Sequence, residues 1–142
     1  MKDLDITQVT LASVTKATQI LSKKIVASPD TFPTFGGSEQ SGRPHVEIYD
    51  HSYHYVVCER GQEFERRITN DVYELLYWIF ADITFELACS YELGHRQAGK
   101  DTRRLLFQKQ EELLSILDIE WSKRKERDYV EILKHHPFND NI

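Results

Sequence analysis

Tyr53-His54-Tyr55-Val56-Val57-Cys58-Glu59-Arg60-Gly61-Gln62-Glu63-Phe64-Glu65-Arg66-Arg67-Ile68 is followed, after Thr69-Asn70, by Asp71-Val72-Tyr73-Glu74-Leu75-Leu76-Tyr77-Trp78-Ile79-Phe80. The change of period between these two blocks decides the fold. The first block is rich in aromatic and β-branched residues and breaks at Arg60-Gly61-Gln62, so it reads as two strands around a turn. In the second, apolar residues recur at helical spacing. At about 100° per residue, Val72, Leu76, Ile79, Phe80, Ile83 and Leu87 fall on one face. Asp71 and Glu74 have the spacing of a helix-capping box, and the helix runs toward Glu92.

Working outward, Val46 to Tyr49 is a further strand, separated from Tyr53 by Asp50-His51-Ser52. Side-chain alternation places Phe64, Arg66 and Ile68 on one strand face, with Arg66 set against the core and paired to an acid. Residues 28–44 form one long ordered loop, rich in Pro and Gly and pinned by Phe32 and Phe35. A first helix starts near Thr7 and carries Val9, Val14, Ala17, Leu21 and Ile25. Gly94 and Gly99 end the central helix. Asp101 caps a third, with Leu106, Leu113 and Leu117 in its stripe, widened by Phe107 and Leu114. Asp118 caps a fourth, with Trp121, Tyr129, Ile132 and Leu133 inward, and His136-Pro137 ends it. The expected fold is α+β, a single domain over residues 1–142. In it a three-stranded antiparallel sheet packs on about four helices. Arg103 also lies near an apolar helix face, and at least one of Arg66 and Arg103 is expected to be largely buried and paired with a carboxylate.

The 142 residues carry a net charge of −5, and its distribution is uneven. From Asp30 to Glu92 there are 12 acids and 4 bases, a local charge of −8, while the remainder carries +3. No Lys or Arg occurs between Arg67 and Arg96. Such a surface suits a basic partner and argues against nucleic acid. The basic run Lys123-Arg124-Lys125-Glu126-Arg127 lacks interleaved aromatics and reads as a solvated helix face. The acids Asp71, Glu74, Asp82, Glu86 and Glu92 share a helix sector into which Leu75, Trp78 and Phe85 are mixed, and Trp78 and Phe85 among the acids have the pattern of an aromatic centre within a charged rim.

Signatures of catalysis are missing. There is no Gly-x-Ser-x-Gly elbow, no phosphate-binding loop and no His-Glu-x-x-His helix. Gly36-Gly37 leads into Ser38-Glu39-Gln40 and reads as a turn. His45, His51, His54, His135 and His136 do not have metal-ligand spacing, so no metal or cofactor is expected. Asp82 and Glu86 could do acid–base work only if burial shifted one of them. Cys58 and Cys89, in apolar segments, read as reduced thiols. No apolar run is long enough to cross a membrane. The N-terminus has no basic region or apolar core of a secretory signal, so a cytoplasmic location is expected.

Tyr53 through Glu63, Glu74 through Phe80 and Asp82-Ile83-Thr84-Phe85 resemble the immunity protein 63 family. So do Asp101 through Phe107 with Gln110, His136-Pro137-Phe138, Pro33-Thr34-Phe35-Gly36 and Pro44-His45-Val46-Glu47. The resemblance spans Pro33 to Phe138. It implies a protein of bacterial polymorphic-toxin and contact-dependent inhibition systems that binds a toxin's C-terminal domain and has no catalytic residues. Toxins of this kind are often nucleases with basic grooves. The expected contact surface is therefore the acidic middle: Asp50, His51, Asp71, Glu74, Trp78, Asp82, Phe85 and Glu86. A small hydrolase and a homo-oligomeric structural or regulatory module are the competing classes.

Overall fold

A computed structural model describes residues 9–141. The chain forms two compact units, one ending at Phe80 and the other beginning at Ala81. Among the described residues, four α-helices and one sheet make the fold α+β.

In the first unit, helix α1 spans Leu11–Lys24 and is capped by Thr10 and Ser13 in a reciprocal capping box. The expected cap, Thr7, lies outside the described residues. Val14, Ala17 and Leu21 are buried, and the helix packs on β2. The sheet runs β1 (Thr34–Phe35), β2 (Ser41–Tyr49), β3 (Ser52–Glu59) and β4 (Gln62–Thr69), in that spatial order. β2, β3 and β4 form the expected antiparallel meander. The count of three strands is corrected to four, because β1 adds a short parallel pairing, Thr34 with His45 and Phe35 with Val46. Two residues inside a Pro/Gly-rich stretch carry no alternation that could announce a strand. β2 also starts earlier than expected. A register shift between Ser41 and Pro44 accommodates Gly42 and Pro44, as irregularities near strand ends do.

Both hairpins turn on two residues. Asp50 and His51 have φ of 53° and 61°, and Arg60 and Gly61 have 52° and 78°. Paired left-handed residues match the twist of the flanking strands. The second turn is held by Gln40, whose carbonyl accepts from Arg60 N and whose side chain accepts from Gly61 N.

The orientation of β4 is opposite to the expected one. Phe64 and Ile68 are 61% and 56% exposed, so the face they share with Arg66 points to solvent. Arg67, on the other face, lies over the Tyr55 and Trp78 rings, 5.1 and 4.9 Å from their centres. A guanidinium stacked on two rings can occupy an inward position that an unpartnered charge could not. Arg66 does have its acids. It pairs with Glu63 at 2.7 Å and Glu47 at 3.1 Å, but its side chain is 30% exposed. Pairing was read correctly and deep burial was not.

Helix α2 spans Val72–Gly94. In the first unit Leu75, Leu76, Tyr77, Ile79 and Phe80 are all buried. Leu75 sits in the sector assigned to the acids, so that sector is only partly solvent-facing. A helix apolar on most sides is a buried helix.

In the second unit Asp101 caps α3 (Thr102–Leu117) and Asp118 caps α4 (Ile119–His135), as expected. Phe107, Leu113, Leu114 and Leu117 are buried, with Trp121 and Tyr129 from α4. Ile132, expected inward, is exposed. The stripe of α4 ends at Tyr129, whose ring stacks on Phe107.

One polar residue sits within this apolar packing. Gln110 Nε2 donates to Ala81 O at 2.9 Å and to Thr84 Oγ1 at 3.2 Å, and its Oε1 accepts from the Tyr129 hydroxyl. It therefore ties α2, α3 and α4 within the unit. The start of α3 is tied to the C-terminal segment. Asp101 accepts from Arg103 and from Asn139 N, and Arg103 also donates to the carbonyls of His136 and Pro137. Arg103 is thus paired, but at 29% side-chain exposure it is half-buried.

Two outcomes follow. Gln110→Leu should destabilise the chain by about 1–3 kcal/mol in urea unfolding, because it removes the acceptor of the Tyr129 hydroxyl. Combined with Tyr129→Phe, it should cost less than the sum of the two single changes. The Arg103 side chain and the Asn139 amide hold the Asp101 carboxyl far below the usual range, and the Arg104 side chain lowers Asp140 to about 2. Depressed carboxylates stabilise above their unfolded value and lose that contribution as pH falls through the folded one. The melting temperature should therefore drop below about pH 4, and Asp101→Asn should flatten that drop.

Candidate functional site

Of the residues expected at the contact surface, Asp50 and His51 are exposed at the β2–β3 turn. The Ser52 hydroxyl donates to Asn70 Oδ1 at 2.6 Å, which ties this turn to the segment entering α2. Asp71 stands next to it. Its Oδ1 accepts from Tyr73 N at 2.9 Å, so it also starts the helix. Its charge, after burial, pushes the Tyr53 hydroxyl up. Asp50, His51 and Asp71 are thus brought to one end of the sheet. Glu74 is half-buried.

Trp78 is half-buried too, with a partner in its own unit. Its ring lies under Arg67 and 6.4 Å from Tyr55. Arg67 Nε stands 3.0 Å from Glu65 Oε1, an ion pair outside hydrogen-bond geometry. In the second unit Asp82, Phe85 and Glu86 lie within one turn of α2, and all three are exposed, Phe85 to 47%. An aromatic ring between two carboxylates is available there to a partner. Exposure removes the burial that would equip Asp82 and Glu86 for proton transfer.

A polar cluster on the sheet was not assembled from the sequence. His45 Nε2 donates to Glu47 Oε1 at 2.8 Å, and Arg66 Nη1 donates to Glu47 Oε2 and to His54 Nδ1 at 3.1 and 2.8 Å. The Glu47 carboxyl is held low chiefly by its bond from His45, with Arg66 adding to it and burial opposing. The signal was present in the alternation of His45-Val46-Glu47 and of Phe64-Glu65-Arg66, but only strand register unites them. Both histidines are buried, and among the described residues no group of three His, Cys, Asp or Glu is placed to hold a metal. The Cys89 thiol is pushed up by burial and then by Glu92 and Glu86, the reverse of what a nucleophile needs.

Compared with known families, residues 49–131 match the model of immunity protein 63. The match covers more than half of the chain and includes β3, β4, α2, α3 and most of α4. The chain belongs to the immunity protein 63 family. No curated protein and no solved structure matches it. The family match begins at Tyr49 and ends at Glu131, so Pro33-Thr34-Phe35-Gly36, Pro44-His45-Val46-Glu47 and His136-Pro137-Phe138 stand outside it. Of the eight residues expected at the contact surface of this immunity protein 63 chain, Asp50 and His51 lie in the β2–β3 turn, Asp71 just before α2 and the other five on α2; Glu74 and Trp78 are half-buried and the rest are exposed.

The Arg67 stack gives a direct check. With Trp78 as the one remaining tryptophan, in a Trp121→Phe background, Arg67→Ala should increase acrylamide quenching of its emission. The same change should lower stability by about 1 kcal/mol.

Proposed function

We propose that this chain is the immunity partner of a bacterial toxin. Residues 1–142 act as a single domain in the cytoplasm that binds the toxin's C-terminal domain one to one and blocks it without catalysis. Membership of the immunity protein 63 family is the observation that carries this reading. The −8 of charge between Asp30 and Glu92 supports a basic partner, and a nuclease with a basic substrate groove fits that chemistry. No helix among the described residues is long and apolar enough to cross a membrane. The polymorphic-toxin or contact-dependent inhibition setting belongs to the same proposal.

The proposed contact surface consists of Asp50, His51 and Asp71 at the end of the sheet, Glu74 and Trp78 early in α2, and Asp82, Phe85 and Glu86 later in it. Exposed carboxylates raise the rate of encounter with a basic groove, and an exposed ring between them gives the bound state an apolar contact.

The test is charge reversal. Asp82→Lys with Glu86→Lys should slow association with the toxin domain roughly tenfold or more at low salt, and the effect should shrink as salt rises. An unchanged association rate together with full protection would remove this stretch of α2 from the interface.

A further inference from the structure

A groove of about 530 Å³ lies within the second unit, between α3 and α4 and beside the C-terminal segment. Its apolar lining is Phe107, Tyr129, Val130, Leu133 and Phe138, of which Phe107 and Tyr129 are buried, and its acids are Glu111, Glu112 and Glu126. The Phe107 and Tyr129 rings stack at 3.6 Å, and Val130 is 49% exposed. At one end Arg104 lies over the Phe138 ring and is held by Asp140 at 2.8 Å, so that cation is already committed.

The acids around the groove differ in one respect. Glu112 has Lys109, Glu120 has Lys123, Asp128 has Lys125 and Glu131 has Lys134, each at 3.2–3.9 Å. Glu111 and Glu126 have no ion pair among the described residues. Burial pushes the Glu111 carboxyl up, and the charge of Glu126 pushes it further. Two carboxylates that repel each other beside an exposed apolar surface are complementary to one kind of group, a cation on a hydrocarbon stem.

We propose that this groove receives a lysine or arginine side chain of the toxin domain. The stem lies along Val130 and Leu133, and the charged head lies between Glu111 and Glu126. The inference rests on the toxin-binding reading but concerns a different surface from Asp82, Phe85 and Glu86. The occupant is a protein segment because the site is an open groove with an apolar side. A desolvated cation inserted in such a groove is typical of residues that dominate an interface.

The experiment uses the full chain and the C-terminal domain of the toxin encoded beside it. The groove variant, Glu111→Gln with Glu126→Gln, is compared with Glu120→Gln with Glu131→Gln, which lie outside the groove. The comparison variant removes the same charge from acids that already have partners. The groove variant should weaken binding roughly tenfold, mainly through faster dissociation, and the comparison variant less than about twofold. Equal losses would reduce the effect to net charge and overturn the groove. Unchanged affinity of the groove variant would overturn it as well. Failure of the unmodified chain to bind would instead reject the toxin-binding reading, and the groove with it.

Melting curves supply a second readout. A carboxyl whose folded pKa is raised destabilises the native state above its unfolded pKa and contributes nothing below it. Glu111→Gln should therefore raise the melting temperature at neutral pH, and the gain should vanish in acid. A lower melting temperature at neutral pH would make Glu111 a structural residue and overturn the proposal.

Discussion

The constraint on which most of this structure depends is the burial of α2 without charge. Leu75, Leu76, Tyr77, Ile79 and Phe80 are buried in the first unit, and Ile83, Thr84 and Ala88 in the second. A helix covered on more than one side tolerates cations poorly, and none occurs from Ile68 to His95. Its charged residues are acids at the margins of the apolar surface. Glu92, near its end, is buried and is paired with Arg96 one turn on, at 2.7 Å. Apart from Glu126, the acids of α4 are treated differently. They alternate with lysines three residues away and form ion pairs along the helix surface. Such pairs contribute little to stability, but they neutralise the face. The helix α2 supplies no cation to Glu74, Asp82 or Glu86, so the negative character of the middle of the sequence is a consequence of how its core is built.

That contrast explains what could be read from the sequence. Helix ends depend on local chemistry. Asp101 and Asp118 were legible as caps because a short acceptor side chain before an apolar run has one favourable use. The meander was legible from composition and the two turns. The facing of β4 was not. Phe64 and Ile68 are the apolar residues of the strand, and alternation alone directs them inward. The structure instead lays Arg67, 37% exposed, over the ring faces of Tyr55 and Trp78. Those partners lie on another strand and on a helix, beyond the reach of a pattern within one strand. Leu75 is buried within the acidic sector for a related reason. Helical angle locates a residue around an axis but does not count how many sides of the helix are covered. Gln110 shows the same limit in polar form, since its bonds to Ala81, Thr84 and Tyr129 join three helices.

The candidate surface was legible as a list of residues and only partly as an arrangement. Register and the Ser52–Asn70 bond bring Asp50, His51 and Asp71 to one end of the sheet. Trp78, expected as an exposed ring among acids, is half-covered by Arg67, whereas Phe85 keeps nearly half of its surface open. The difference comes from the sheet. A strand position opposite the early turns of α2 can send a side chain over Trp78, and Arg67 is the residue there.

The β2–β3 turn adds a final physical point. Asp50 and His51 both adopt left-handed backbone angles, φ 53° and 61°, which glycine or asparagine would adopt more readily. A left-handed residue with a Cβ carries roughly 1–2 kcal/mol of strain, less where Asp bonds locally. The neighbouring turn relieves part of that cost with Gly61 and braces the rest through Gln40. The Asp50-His51 turn has two side chains where a hairpin requires none, and both are exposed beside Asp71. Local strain is tolerated where a side chain has a use beyond folding. The β2–β3 turn and the margins of α2 thus present charge to solvent for opposite reasons. In α2 the acids are what an uncharged core leaves at its edge, and in the turn the side chains persist against the backbone's own preference.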